Sequence, residues 1–297
     1  MNMRPATPDD LEHVLDLLRT EEMFLTGERS RIGLSDLRQW LIRVDLARDT
    51  WMFEEDGRLV AFGWGEMQGD LGFAIGVVHP DAKGRGIGRR LVERSEGRLR
   101  EHGASRMQQV ALAADARAPV LFALHGYREV RRFYEMAIEL DGPPAAPVLP
   151  DGLTLEPFDE SGVRAFYDAL DEAFQDHWEH YSTPFEEWWE QKQNAPDFDP
   201  TLWFLIKDGS EVAAVVRNDP NRSEGGQVAA IGVRRRWRGR GLGRALLLHT
   251  FGEFHRRGTG RISLGVDSEN PTGATKLYES VGMQVELEQT VFEKRAV

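Results

Sequence analysis

The chain has 297 residues, with 37 Lys and Arg against 49 Asp and Glu and a formal net charge of −12, a balance that argues against general nucleic-acid binding. It has no cysteine, which excludes disulfides, thiolate metal sites and a cysteine nucleophile. There is no run of about 18 apolar residues and no signal-peptide core, so the expectation is a cytoplasmic protein, monomeric or homodimeric, that engages neither membrane nor nucleic acid.

In chain order, Thr7-Pro8-Asp9-Asp10 is a helix-start signal, with Thr7 at the N-cap and Asp10 three residues on. Leu11, Val14, Leu15 and Leu18 follow at helical spacing. Two apolar runs, 51–53 and 59–62, flank Asp56-Gly57 and predict a hairpin. Next comes the run Val77 to Gly88, an apolar strand end passing into a Gly/Arg turn, with a helical pattern over Arg89–Arg100. A strand over Met107–Leu112 and a short helix ending at Gly126-Tyr127 complete this half. Residues 141–152 are rich in Pro and Gly and read as a linker.

The order then repeats. Leu153 and Leu155 mark a strand, and Val163, Phe166, Leu170 and Phe174 a helix. Asp208-Gly209 joins two apolar runs, and Gly232 to Gly243 is a second copy of the Gly/Arg run, 155 positions after the first. A helical pattern over Arg244–Arg257, a strand over Arg261–Val266 and a corner at Gly282-Met283 follow. Each half therefore reads as a mixed α/β domain, residues 1–140 and 153–297, consistent with the usual length of about 150 residues per domain.

A strand, a glycine-rich turn and a helix make an anion cradle. Backbone N–H groups converge on phosphate oxygens, and the helix N-terminus adds its positive dipole end. Charge follows the same plan: residues 234–244 hold six arginines and no acid, while 151–200 hold fourteen Asp and Glu against Arg164 and Lys192.

These motifs resemble the GNAT superfamily of acyl-coenzyme A N-acyltransferases in its tandem-domain, mycothiol synthase-like form. The family's Gln/Arg-x-x-Gly-x-Gly/Ala falls on Arg238, Gly241 and Gly243, and on Lys83, Gly86 and Gly88 with Lys in first place. The resemblance covers nearly the whole chain. It implies two mixed α/β domains, each a mostly antiparallel sheet with a splayed strand pair flanked by helices. It also implies acetyl-coenzyme A as donor, bound along Ile231, Val233, Arg238, Gly239, Arg240, Gly241, Leu242, Gly243 and Arg244. The corresponding first-half set is Val78, Lys83, Gly84, Arg85, Gly86, Gly88 and Arg89, so that both domains are candidates to bind it.

The segment from Val266 to Met283 resembles the family's second motif. By that resemblance Asn270 binds the coenzyme and Tyr278 stands near the thioester sulfur. A tyrosine keeps its proton at neutral pH and can give it to a departing thiolate. An offset of 156 places Phe122 opposite Tyr278, Ala114 opposite Asn270 and Asp115 opposite Pro271. The first half is thus expected to have lost catalysis, the competing reading being a second active site that uses water.

The acceptor side is expected at Asp176, His177, Trp178 and Glu179, a small-molecule amine fitting carboxylates interleaved with aromatics. Trp188 and Trp189 extend that pattern, or else pack on the core. His177 and His180 lack a third ligand, so no metal is expected. In mycothiol synthases a strand glutamate acts as base, and its position falls on Gln227, which cannot accept the proton. Glu224, Glu179, His177 and His180 remain as candidates. The leading function is acetyl transfer to a small, cationic primary amine by direct attack in a ternary complex. The alternatives are mycothiol synthase-like transfer, acetylation of a protein amino terminus, and an acyl-coenzyme A-binding regulatory module.

Overall fold

The computed structural model describes residues 1–195 and 197–296. The chain forms two compact units: Met1–Phe133 together with the stretch from Leu287 onward, and Tyr134–Glu286.

The first unit runs β1 (Asn2–Arg4), α1 (Leu11–Thr26), α2 (Leu34–Trp40), α3 (Leu46–Asp49), β2 (Thr50–Glu55), β3 (Arg58–Gln68), β4 (Leu71–Val78), α4 (Ile87–Glu101), β5 (Arg106–Leu112), α5 (Ala118–Leu124) and the start of β6 (Arg128–Glu139). The helix-start signal holds: the Asp10 carboxylate accepts the Thr7 N–H and hydroxyl at 2.8 and 2.7 Å, and it also binds Arg4. The Asp56-Gly57 turn closes the β2–β3 hairpin with φ of +50° and +77°. Strand alternation divides the side chains between two faces. Met52 and Phe62 meet Val14, Leu15 and Leu18 of α1, while Trp51 and Phe53 meet Ile87 and Leu91 of α4.

The second unit repeats this plan with β7 (Leu153–Pro157), α6 (Val163–Phe174), α7 (Phe185–Gln193), β8 (Phe204–Asp208), β9 (Glu211–Arg222), β10 (Gly225–Val233), α8 (Leu242–Arg256), β11 (Arg261–Asp267), α9 (Ala274–Ser280) and the start of β12 (Gln284–Arg295). Its strand order is β7-β8-β9-β10-β11, continued by the end of β6. One large core gathers Phe166, Trp203, Leu246, Phe251 and Ile262, and Met136 of β6 is fully buried in it. Both units are mixed α/β domains with mostly antiparallel sheets, as the repeat predicts.

The domain boundaries differ from the expected 1–140 and 153–297. The break falls inside β6, after Phe133, and the Pro/Gly stretch 141–152 belongs to the second unit, where Leu149 packs on the core. The C-terminal strand belongs to the first unit, Gln289–Arg295 pairing antiparallel with Leu112–Arg106 of β5. A Pro/Gly-rich stretch marks where regular structure stops, and says nothing of which sheet a distant strand joins. Lys294 fixes this strand in place, its ammonium bonded to the buried Glu96 carboxylate and, at 3.0 Å, to the His125 carbonyl. Lys294→Met should cost about 2 kcal/mol, since it leaves a buried carboxylate with the Arg100 guanidinium at 2.9 Å and the His125 ring at 3.7 Å as partners and removes the close ammonium. Urea unfolding of the intact chain would read this as a shift in midpoint without a change in slope.

Candidate functional site

The site is built on β10 and the turn that follows it. β10 pairs parallel with β11 only at Gly226–Ile262 and Gln227–Ser263, and beyond Gln227 the two strands part. On its other edge β10 stays paired with β9 as far as Val233, with a bulge between Val228 and Ala230. Arg234 donates its N–H to Ala213 of β9 at 3.0 Å. Alternation along the strand therefore aims the N–H groups of Ile231 and Val233 at the open edge, while Gly232 faces β9.

The turn supplies the cradle. Gly239 and Gly241 take φ of +75° and +81°, which L side chains rarely adopt, and Gly241 caps α8. Among the described residues, the backbone N–H groups from Gly239 to Arg244 make no backbone hydrogen bond. This run of unpaired donors at a helix N-terminus fits a phosphate or pyrophosphate. A Cβ on Gly243 would sit 2.8 Å from Leu277, so glycine there lets α8 approach α9 closely.

The arginines divide into two sets. Arg234 binds Glu172 at 2.6 Å, Arg236 binds Glu211 at 2.9 Å, and Arg235 and Arg238 share the Asp176 carboxylate at 2.5 and 2.8 Å. Arg238 also donates to the Val233 carbonyl at 3.1 Å, clamping the turn to the strand end. Arg240 and Arg244 are exposed and form no ion pair or side-chain hydrogen bond among the described residues. These two are free to meet a phosphate. Asp176, expected on the acceptor side, lies instead under the cradle with both oxygens held by arginines, which keep its carboxyl well below the usual range.

The second motif closes the other wall. Asn270 folds its side-chain oxygen onto the N–H and hydroxyl of Thr272 at 2.9 and 2.6 Å, leaving its amide to donate elsewhere. Tyr278, on the short helix α9, is buried in the core, and its hydroxyl makes no hydrogen bond among the described residues. Burial pushes its pKa up to about 12.

Of the other expected acceptor residues, His177 packs its ring on Phe174 at 4.3 Å, and burial pushes its pKa down, favouring the neutral ring. Trp178 and Glu179 follow in the same turn, Glu179 at φ +53°. His180 lies 3.1 Å from Ser182, which bonds Asp171 at 2.7 Å. Trp188 is a core residue, stacked with Trp189 and beside Trp203, so the packing alternative holds for it. Glu224 sits exposed at the tip of the β9–β10 hairpin.

The first unit shares the backbone of this site but differs in its side chains. Gly84 and Gly86 both take φ +80°, and the N–H groups from Gly84 to Arg89 are likewise unpaired with backbone. Lys83, however, is nearly buried, its ammonium 2.9 Å from both Glu21 and Asp115. Arg85 is bonded to Glu55, and Arg89 to Glu93. Burial pushes the Glu21 pKa up against the opposing pull of Lys83. Five successive pairs, Leu71–Arg106 to Ile75–Val110, hold β4 to β5, so the strands part only near Gly76–Val78. Phe122 fills the place of Tyr278, packed against Tyr127 and Phe292.

The role of Glu21 and Asp176 as partners of the motif's first base was not read from the sequence, although both acids lie in the helix or turn before the meander. The 155-residue offset that pairs Lys83 with Arg238 also pairs these two acids.

The family model described as Acetyltransferase (GNAT) family matches residues 12–127 and again 163–283. A mycothiol acetyltransferase of Thermobispora bispora is 33% identical over 69% of this chain and 70% of its own. One from Nocardiopsis dassonvillei is 31% identical over 94% of this chain and 92% of its own. Among solved structures, a GCN5-related N-acetyltransferase from Sphaerobacter thermophilus superposes with a TM-score of 0.88 at 31% identity, over 99% of this chain and 95% of that one. Among the described residues no helix is long and apolar enough to cross a membrane. With the family matched twice, the chain belongs to the GNAT family and is a tandem-domain N-acetyltransferase.

Proposed function

We propose that the second unit transfers an acetyl group from acetyl-coenzyme A to the primary amine of a small molecule by direct attack in a ternary complex. The observation that carries this reading is the alignment of three features in one unit: the unpaired N–H run Gly239–Arg244, the splay between β10 and β11 beyond Gln227, and the unpartnered hydroxyl of Tyr278. In this reading the N–H run, Arg240 and Arg244 hold the pyrophosphate, and Asn270 donates to the pantetheine arm. That arm lies in the splay, extending β10 by backbone bonds at Ile231 and Val233. A backbone N–H at the open edge holds the carbonyl oxygen as charge develops there. Tyr278 protonates the departing sulfur.

The first unit keeps the N–H run but has its lysine neutralised, its strands zipped and Phe122 for tyrosine. These features support an anion-binding relative without transfer chemistry. Its Lys83, Arg85 and Arg89 are engaged with carboxylates, so coenzyme binding there would rest on backbone alone.

Arg240→Ala and Arg244→Ala should each weaken acetyl-coenzyme A binding by about fivefold at low salt, and less at high salt. Lys83→Ala should leave that affinity within about twofold. Calorimetric titration of each variant tests this. The reaction is tested by following thiol release with glucosamine, spermidine, tyramine and an alanyl peptide amide as acceptors. Tight acetyl-coenzyme A binding with no thiol released would favour a regulatory module instead. The two mycothiol acetyltransferase relatives support the mycothiol synthase-like alternative, so a glucosamine–cysteine conjugate joins the panel, while Gln227, at the place where the resemblance implies a glutamate base, weighs against that alternative.

A further inference from the structure

The Asp219 carboxylate takes no part in the cradle, yet it lies where the splay opens. β9 and β10 place Asp219 directly opposite Gln227, the last residue of β10 paired with β11. Residues directly opposite across an antiparallel pair share a face, with Cβ atoms about 5 Å apart. That face carries α6: Gly232, on the same side of β10, would bring a Cβ within 2.6 Å of Ala173. The opposite face carries α8, since Asn218 bonds Thr250. Between Gln227 and Gly232 lies the bulge, which leaves one residue of β10 without a partner on β9.

We propose that Asp219 accepts the proton from the incoming amine, an inference that rests on acetyl transfer in the second unit. One carboxylate oxygen is held by Arg217 at 2.6 Å, and Arg217 lies over the buried Trp203 ring at 5.9 Å. The other oxygen, Oδ2, bonds nothing among the described residues. The carboxylate is thus oriented by one partner and open on its other side, 16% exposed at the side chain. The candidates on the α6–α7 loop and the hairpin are placed less well. His177 packs its ring against Phe174, next to Gly232 at the cradle end of the strand; His180 lies 3.1 Å from Ser182; Glu224 sits exposed at the hairpin tip. Arg217 is the charged group in contact with Asp219, and Gln227, facing it from β10, carries no charge.

The step balances without a further reagent. The amine lone pair forms the C–N bond, the C–S bond breaks with its electrons on sulfur, the nitrogen's proton goes to Asp219, and the Tyr278 proton goes to sulfur. Solvent then returns a proton from Asp219 to Tyr278.

The test compares wild type, D219N and D219N/Q227E with acetyl-coenzyme A and the fastest amine of the panel above. D219N should lose about 10²-fold in kcat/KM at pH 7, with a deficit that shrinks toward pH 10 as hydroxide takes over, and with acetyl-coenzyme A affinity unchanged. Moving the carboxylate across the strand pair in D219N/Q227E should restore activity to within about tenfold of wild type. A D219N rate within threefold of wild type, a deficit uniform across pH, or no recovery in the double variant would overturn the assignment while leaving the transfer reading intact. A wild-type protein that acetylates no panel amine would overturn both.

Discussion

Tyr278→Phe is expected to lower kcat for acetyl transfer by about 10²-fold with little change in acetyl-coenzyme A affinity. The ring is part of the core, so the substitution keeps the packing and removes only an oxygen that has no hydrogen-bond partner among the described residues. A thiol of ordinary pKa near 8.5 leaves water as a thiolate without help, but a dry site makes that anion costlier and a nearby proton more valuable. The same burial pushes the tyrosine to about 12, so it stays protonated through pH 10. The wild-type rate should therefore show no alkaline fall from this group between pH 7 and 10. Full activity of the variant at every pH would rule out the acid role. Phe122, at the matching place in the first unit, is this substitution already made, in a unit whose strands are also zipped.

Cutting the chain at its Pro/Gly stretch should give two pieces that fail to fold, while a cut along the observed units should spare the second. A fragment of residues 153–297 lacks Tyr134–Glu139 and with it Met136, a fully buried side chain of the core. Emptying such a site alone costs about 2–5 kcal/mol, before the loss of a whole strand from the sheet edge. The fragment also carries Leu287 onward with no β5 to pair with. Residues 134–286 contain every residue of that core and should melt cooperatively. Thermal unfolding followed by circular dichroism would decide between them. A cooperative transition for 153–297 would show that the exchanged strands are dispensable.

Turns and helices were the most legible elements. The Asp56-Gly57 hairpin, the Thr7–Asp10 start and helices α4 and α8 depend on residues close together in the chain, and the sequence pattern finds them to within two or three residues. The cradle was legible because glycines at a fixed spacing mark positive φ. What the arginines do was not. Arg234, Arg235, Arg236 and Arg238 look alike as phosphate ligands, and their partners Glu172, Asp176 and Glu211 lie 25 to 63 residues away, where no local pattern links them. The acidic segment read as an acceptor surface is in part the counter-charge of the cradle. Asp219 escaped for a related reason. Its place beside Gln227 depends on strand register, and irregularities at Gly225/Gln227 and Val228/Ala230 shift that register on both sides of the pair.

The strand exchange also sets the order in which the protein can be finished on the ribosome. A chain made from its N-terminus ordinarily completes its first domain first. Here the first unit cannot close its sheet until Gln289–Arg295 has been made, whereas the second needs nothing beyond Glu286. The unit that starts first is thus completed last, and until then β5 waits with an open edge.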